Sequence, residues 1–579
     1  MAGYKRCVKF TWVRMRLALV KIEQEVSVSE VIGKESSPSF GEIPDGYRPK
    51  WSMMPFIALG VAMIIVDATI VNVALPTMIS TLHLNSSDAE WLNSIYSLVF
   101  ASLLITLGRL GDRFGRRKLF AIGVVIFVAA SLFTALSSAG STIIFGRFLQ
   151  GIGGAMVLPN TLSLVNANFY GKDRQIAFAI WGSTIGGVAA LGPLLGGWVT
   201  QTFSWRYAFL VNVPVGVAIL IGTIFVVLES KDEKIEKGSD LIGNFSIIVS
   251  LTFLVFALIE AQRYGWYKPI AKLRLFGFTW ASTSISPIPF AILIAIVALA
   301  IFTGYELRRG KSGKVTLIET KLFRISSFTF GNIAALIISL GEFGILFALP
   351  LFLQGARGYG ALGTGVILLG LAIGAFLAGG AVAPLSKRVS AVTVVRIGLF
   401  LEIVGVASLA LTISPTGPVA LLDIPLFVYG FGIGFATAQL TGVVLSDVPI
   451  SKSGIGSGIS STSRQLGSAL GIAILGSVLL SQLSSVLSSS LTKIPSIPAP
   501  IASQAVSVVR ESAGAAISSL YKFPNGGAIH SAAVNAMVDA TRSASLTAAT
   551  FIAVGFIATL SLKKKVGATE STRDVSNEI

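Results

Sequence analysis

Residues 108–118 read Gly-Arg-Leu-Gly-Asp-Arg-Phe-Gly-Arg-Arg-Lys, with an apolar run on each side, Ile95–Leu107 before it and Leu119–Leu136 after it. Five basic residues (Arg109, Arg113, Arg116, Arg117, Lys118) and one acid, Asp112, are squeezed between two membrane-span candidates. Apolar segments joined by so short a turn must run antiparallel as neighbours. A basic cluster of this density marks the cytoplasmic side of a membrane. Gly108, Gly111 and Gly115 suit a tight turn and close helix approach, where a side chain would clash. Asp112 among arginines can form charge-assisted bonds that must break if the spans move apart. The stretch reads as a latch.

Outward from this turn the chain stays apolar. Of 579 residues, 53% are hydrophobic and 13% charged, whereas soluble domains are roughly a quarter charged. This is the composition of an integral membrane protein. A span needs about 20 predominantly apolar residues. Fourteen segments qualify, near 53–75, 92–107, 119–137, 143–166, 177–199, 208–228, 241–261, 287–304, 328–352, 363–384, 392–413, 420–446, 466–487 and 545–562. They are continuous and helix-length, unlike the ten-residue alternation of a membrane barrel, so the expected fold is all-α.

The net charge of +17 sits in loops and tails, which points to membrane lipid and not to nucleic acid. Cys7 is alone and His83 and His530 are the only histidines, so no disulfide, metal cluster, cofactor or nucleophile–histidine set is expected. The chain does not read as an enzyme. Gly304–Ser312 (GYELRRGKS) approaches a phosphate-binding loop but spaces its glycines by five residues where four are required. Direct coupling to ATP is not expected.

The expected organisation is an N-terminal cytoplasmic tail over 1–50, a six-helix bundle over 51–228 and two additional spans with their loops over 229–327. A second six-helix bundle follows over 328–562, including an extracytoplasmic loop at 488–543, and then a cytoplasmic tail over 563–579. Basic residues alternate between loops in a way that places both termini inside; the exception is 262–286, with Arg263, Lys268, Lys272 and Arg274 on the expected outer side. Pro384–Arg388 (PLSKR) is an eroded counterpart of the 108–118 turn in the second bundle. Parallel six-span halves around a midplane site are a transporter architecture. The basic, aromatic segment Lys5–Lys21 suits a membrane surface, a disordered tail or a misassigned start. Ala502–Ser519 is expected as an amphipathic helix, and Asn85-Ser-Ser fits a glycosylation sequon.

Several residues carry possible chemistry. Asp67 lies inside an apolar span, where an unpaired carboxylate is costly; it can bind a proton, attract a cation or do each in turn. Alternatively it is a helix-end acid touching water. Arg147, with Gln150, lies in RFLQGIGGA (Arg147–Ala155). Either Arg147 favours the ionised form of a nearby acid or it snorkels to an interface. In span five, Pro193 should kink the helix, while Gly192, Gly196 and Gly197 admit a close neighbour. Glu342 and Glu402 are further intramembrane acids, suited to a second proton or cation site or to a water-filled cavity. Glu260 and Asp423 lie near span ends and are expected to be solvated.

The 108–118 turn closely resembles the loop between spans two and three of the major facilitator superfamily. Asp67–Pro76 (DATIVNVALP) resembles the first-span motif of its fourteen-span drug/proton antiporter branch, the quaternary-ammonium and multidrug exporters. Arg147–Ala155 resembles that family's span-four motif, whose arginine is linked to proton transfer. Gly192–Gly197 (GPLLGG) resembles the antiporter motif. Trp205–Gly216, Leu349–Gln354 and Val448–Ala473 (with Arg464-Gln465-Leu466-Gly467) resemble the same branch, though Gly370 stands where a proline is often found.

The resemblance implies two six-helix bundles plus two extra transmembrane helices, rocking in alternating access. It implies a multi-pass, monomeric plasma-membrane antiporter exchanging protons for cationic or amphipathic drugs. Asp67, Arg147, Gln150, Glu342 and Glu402 would handle proton and substrate. Gly108, Asp112, Arg113, Gly115, Arg116 and Arg117 would form the gating latch, and Gly192, Pro193, Gly196 and Gly197 the bending element. The alternatives are a proton-driven exporter of one metabolite (an amino acid, sugar or siderophore) and a non-transporting membrane sensor or scaffold.

Overall fold

The computed structural model describes residues 50–169, 171–231, 240–270, 273–275, 278–280, 284–312, 316, 320–386, 389–448 and 453–562. Both tails, and with them Lys5–Lys21, lie outside the described residues. So do Lys387 and Arg388 of the PLSKR stretch.

Helices follow the apolar runs because, without water, backbone polar groups must be satisfied within the segment. The first six are α1 (Met54–Leu82), α2 (Ser86–Phe114), α3 (Arg116–Leu136), α4 (Gly140–Asn168), α5 (Gly171–Thr202) and α6 (Asn212–Phe225), the last entered through a short turn, Tyr207–Leu210. Then come α7 (Leu241–Tyr264) and α8 (Ile288–Lys311). The second group is α9 (Ser326–Leu351), α10 (Ala361–Ser386), α11 (Ala391–Thr412), α12 (Ala420–Leu445) and α13 (Ser453–Leu491). It is completed by the short α14 (Ala499–Glu511) and by α15 (Gly526–Leu560). Among the described residues thirteen helices are long and apolar enough to cross a membrane. The 32-residue α5 occupies the place of the fifth expected span. The only strands among the described residues are the two-residue pair Arg274–Leu275 and Phe278–Thr279.

Local chemistry sets the boundaries. The loop between α1 and α2 shrinks to three residues, with His83 in the left-handed conformation (φ 52°). Asn85 then caps α2, accepting from the Asp88 backbone at 2.9 Å and donating to the Asp88 carboxylate at 2.6 Å. The sequon asparagine is thus committed to a capping box. Between α2 and α3 a single residue, Gly115, makes the turn at φ 120°, a conformation that disfavours any side chain.

The segment 488–543 is not an open loop. α13 continues to Leu491, α14 takes up only Ala502–Glu511 of the expected amphipathic helix before a turn and a 3-10 segment over Ile517–Lys522, and α15 starts at Gly526, well before the expected 545. Leu487, Leu491, Ala505, Val509, Ile517, Leu520, Ile529 and Met537 are all buried in the main apolar cluster. Small Ser and Ala residues lowered the hydropathy there without removing this buried stripe. Glu260, expected in solvent, is buried and accepts a 2.9 Å bond from the Trp91 indole. Asp423 is half-buried at the start of α12.

Met63, Phe100, Phe120, Phe127, Val157 and Ile219 centre the core of the first six helices. α7 lies along the seam between α2 and α13, where Leu98, Val255, Ile259 and Ala473 form one small cluster. Outward-facing Ile122, Val125, Phe290, Val297, Phe376 and Ile557 are exposed, as a lipid-facing surface requires.

Candidate functional site

Asp67, at the middle of α1, has no exposed surface. Three side chains from two other helices satisfy it. Arg147 on α4 donates to Oδ2 at 2.5 Å; Gln150, one turn on, and Asn212 at the start of α6 donate to Oδ1 at 3.0 and 2.8 Å. Gln150 and Asn212 also both donate to the Ser131 hydroxyl of α3, at 2.8 and 3.2 Å. The Ser131 hydroxyl in turn donates a hydrogen bond to the Phe127 carbonyl at 2.8 Å.

Arg147 has partners besides the acid. It donates to the Leu92 carbonyl at 3.1 Å and to Gln150 Oε1 at 2.9 Å, and its guanidinium lies 4.3 Å from the centre of the Tyr96 ring. At 1% exposure it does not snorkel. A buried ion pair is tolerable only when its remaining donors and acceptors are also satisfied, and here they are.

The structure therefore brings Asp67, Arg147 and Gln150 together, joined by Asn212, Ser131 and Tyr96, which the sequence reading did not select. The available signal was a polar residue interrupting an apolar run, as Ser131 does within Leu119–Leu136.

Gly192–Gly197 lies elsewhere, where α5 meets α1 and α10. A side chain at Gly192 would collide with Thr69, and one at Gly197 would come within 2.6 Å of the Ala361 carbonyl. Beside this contact the Gln201 side chain accepts from the Leu362 backbone at 2.8 Å. Gln354 donates to the Val73 carbonyl at 2.9 Å, again linking the first six helices to the second group.

The 108–118 turn is a third, separate place. Asp112 pairs with Arg116 at 2.6 Å. The Arg116 backbone donates to the Ser230 carbonyl at 2.9 Å, and Arg117 donates from its backbone to Glu229 Oε1 at 3.0 Å and from its side chain to the Ile224 carbonyl at 2.7 Å. These bonds tie the turn to the end of α6. Arg113 is exposed and lies 5.1 Å from the centre of the Phe114 ring. At Gly108 a Cβ would meet Pro159 at 3.1 Å; Gly111 faces Asn160 of the same helix, α4.

Glu342 on α9 and Glu402 on α11 form a fourth place, in the second group of helices and apart from Asp67. Among the described residues no group of three or more His, Cys, Asp or Glu side chains is arranged to hold a metal ion.

A family model described as Major Facilitator Superfamily matches residues 57–472. The chain is 29% identical over 440 residues to the tetracenomycin C resistance and export protein of Streptomyces glaucescens, covering 76% of this chain and 77% of that one. It is 31% identical over 444 residues to the multidrug resistance protein Stp of Mycobacterium tuberculosis, covering 76% and 78%. A solved bacterial homologue of the human lysosomal transporter Spinster, inward-facing and unoccupied, aligns with a TM-score of 0.57 at 15% identity. That alignment covers 91% of this chain and all of the other, a likeness of fold.

Proposed function

Because the chain belongs to the Major Facilitator Superfamily, we propose that it is a proton-coupled antiporter exporting cationic or amphipathic drugs and toxic compounds by alternating access. The relatives named for drug resistance and export support the direction. The observation that carries the reading is the buried Asp67–Arg147–Gln150–Asn212 network, because it can change charge without losing all its bonds.

The step is a proton exchange. A proton from water adds to Asp67 Oδ2, the carboxyl becomes neutral and the ion pair with Arg147 opens. Arg147 keeps the Leu92 carbonyl, the Gln150 amide oxygen and the Tyr96 face as partners, so its charge is not stranded. Return of the proton to water on the other side closes the pair. A carboxylate that alternates between proton and fixed or mobile cation gives antiport its coupling. Glu342 and Glu402 supply further acid groups to the pathway.

In this reading α5 and α1 roll at Gly192–Gly197, and the 108–118 turn locks α2 and α3 against the end of α6. α5 counts as the fourteenth span, the two groups of six helices are the moving bodies, and α7 and α8 are the added pair. The protein acts as a monomer in the plasma membrane with both termini in the cytoplasm.

The test is ethidium accumulation in inverted membrane vesicles, with and without an acid lumen, for wild type and Asp67→Asn. Gradient-dependent accumulation that Asp67→Asn abolishes is the expected result. Undiminished accumulation in the variant removes Asp67 from the mechanism. A well-expressed wild type that moves no ethidium under any gradient refutes cation export.

A further inference from the structure

Glu402 sits halfway along α11 with no exposed surface, and neither carboxylate oxygen has a hydrogen-bond partner. Its surroundings are built tightly. A side chain on Gly432 of α12 would fall 2.8 Å from Glu402 Cγ, and one on Gly405 would fall 2.8 Å from Tyr429 Cβ. The α11–α12 seam thus closes backbone to backbone and holds Glu402 and Tyr429 beside each other. Tyr429 is itself fully buried, and its hydroxyl has no partner.

Two more charged groups lie within electrostatic reach of Glu402. Glu342 of α9 has one buried oxygen without a partner and lies within electrostatic reach of both Glu402 and Tyr429. Arg464 of α13 lies within reach of both glutamates. On α15, which also packs on α11, the charged Arg542 and Asp539 sit beyond the end of α11, where Arg542 donates to the Ile413 carbonyl. At the other end Arg396 donates to the Thr559, Leu560 and Leu562 carbonyls. Asp423 is on the first turn of α12.

An unpaired carboxylate inside the membrane is among the costliest arrangements a chain can hold. Four unpartnered oxygens on three side chains from three helices, two of them on Glu402 itself, therefore describe a binding site for something small and positive. A hard divalent cation takes six to eight oxygens, more than this group offers, and Arg464 would oppose it. A proton needs only one oxygen and leaves the acid able to donate to the phenol or to Glu342.

We propose that Glu402, Glu342 and Tyr429 form a second proton-binding site, independent of Asp67, with Arg464 as the counter-charge when the proton has left. The proton arrives from water, adds to a Glu402 oxygen and departs to water with no other covalent bond made or broken. As a transport site it rests on the antiport reading above, and it then makes the protein exchange more than one proton per substrate.

The site is tested on purified full-length protein by infrared difference spectroscopy across a pH titration, following the carbonyl stretch of protonated carboxylic acid. Wild type should show a band that Glu402→Gln removes, Asp67→Asn leaves in place and Tyr429→Phe displaces in frequency. No such band, or a band untouched by Glu402→Gln and Tyr429→Phe, overturns the proposal. Tyr429→Phe keeps both acids and serves if the glutamine variant fails to fold. This readout needs no transport, so failure of ethidium export alone refutes antiport and not the site. In proteoliposomes that do export, the proton-to-ethidium ratio read from the reversal potential should fall to about half in Glu402→Gln; an unchanged ratio overturns the coupling role.

Discussion

Asp67 and Glu402 are both carboxylates of zero exposure in the middle of membrane-spanning helices, one in each six-helix group. Asp67 accepts from an arginine, a glutamine and an asparagine, while Glu402 accepts from nothing. The first is a closed network, whose charge is matched inside the protein. The second is open and needs a partner from outside. The contrast teaches that intramembrane acids of equal burial differ in what their mutation must cost, because removing half of a matched pair strands the other half.

The largest effect should therefore come from Arg147→Met. It leaves Asp67 buried without its counter-charge, and breaking such a pair costs ~3–5 kcal/mol. Thermal unfolding in detergent should show a large drop, partly recovered by adding Asp67→Asn. Glu402→Gln, by contrast, should unfold at or above the wild-type temperature; if it falls as far as Arg147→Met, the two sites are not different in kind.

Next is Gly197→Val, which forces a branched side chain into the Ala361 carbonyl. Overpacking at a helix contact costs about 1–3 kcal/mol, and ethidium export should fall along with stability. Asn212→Leu follows, leaving Asp67 Oδ1 and Ser131 each one donor short, at about 1–3 kcal/mol. Its signature is a lower unfolding temperature that Glu402→Gln does not modify, since the two networks share no residue. The smallest effect belongs to Asp112→Asn. Its partly exposed bond to Arg116 should be worth at most ~1 kcal/mol of stability, so a strong export defect at near-normal stability would show that the turn acts in gating.

Most of the helical architecture was legible because long apolar runs admit only one satisfied backbone arrangement in lipid. The 488–543 segment misread for the same reason: its helices are rich in Ser and Ala, so mean hydropathy fell while the stripe through Leu491, Val509 and Met537 stayed buried. Asp67, Arg147 and Gln150 stood out as polar residues in apolar runs. Nothing in the order of residues revealed that Asn212, 145 positions from Asp67, is its third donor. Glu229, at the start of the 229–327 segment, likewise closes on the backbone of Arg117, 112 positions away.

The sequence by itself determined that this chain crosses a membrane many times, that a glycine-broken basic turn joins α2 to α3, and that three acids, Asp67, Glu342 and Glu402, lie within spans. Those properties follow from local composition and from the cost of placing charge and backbone in hydrocarbon. Only the tertiary structure decided which acids are matched and which stand open. A hydrogen bond depends on where helices distant in sequence are brought side by side, and that placement is set by packing across the whole bundle.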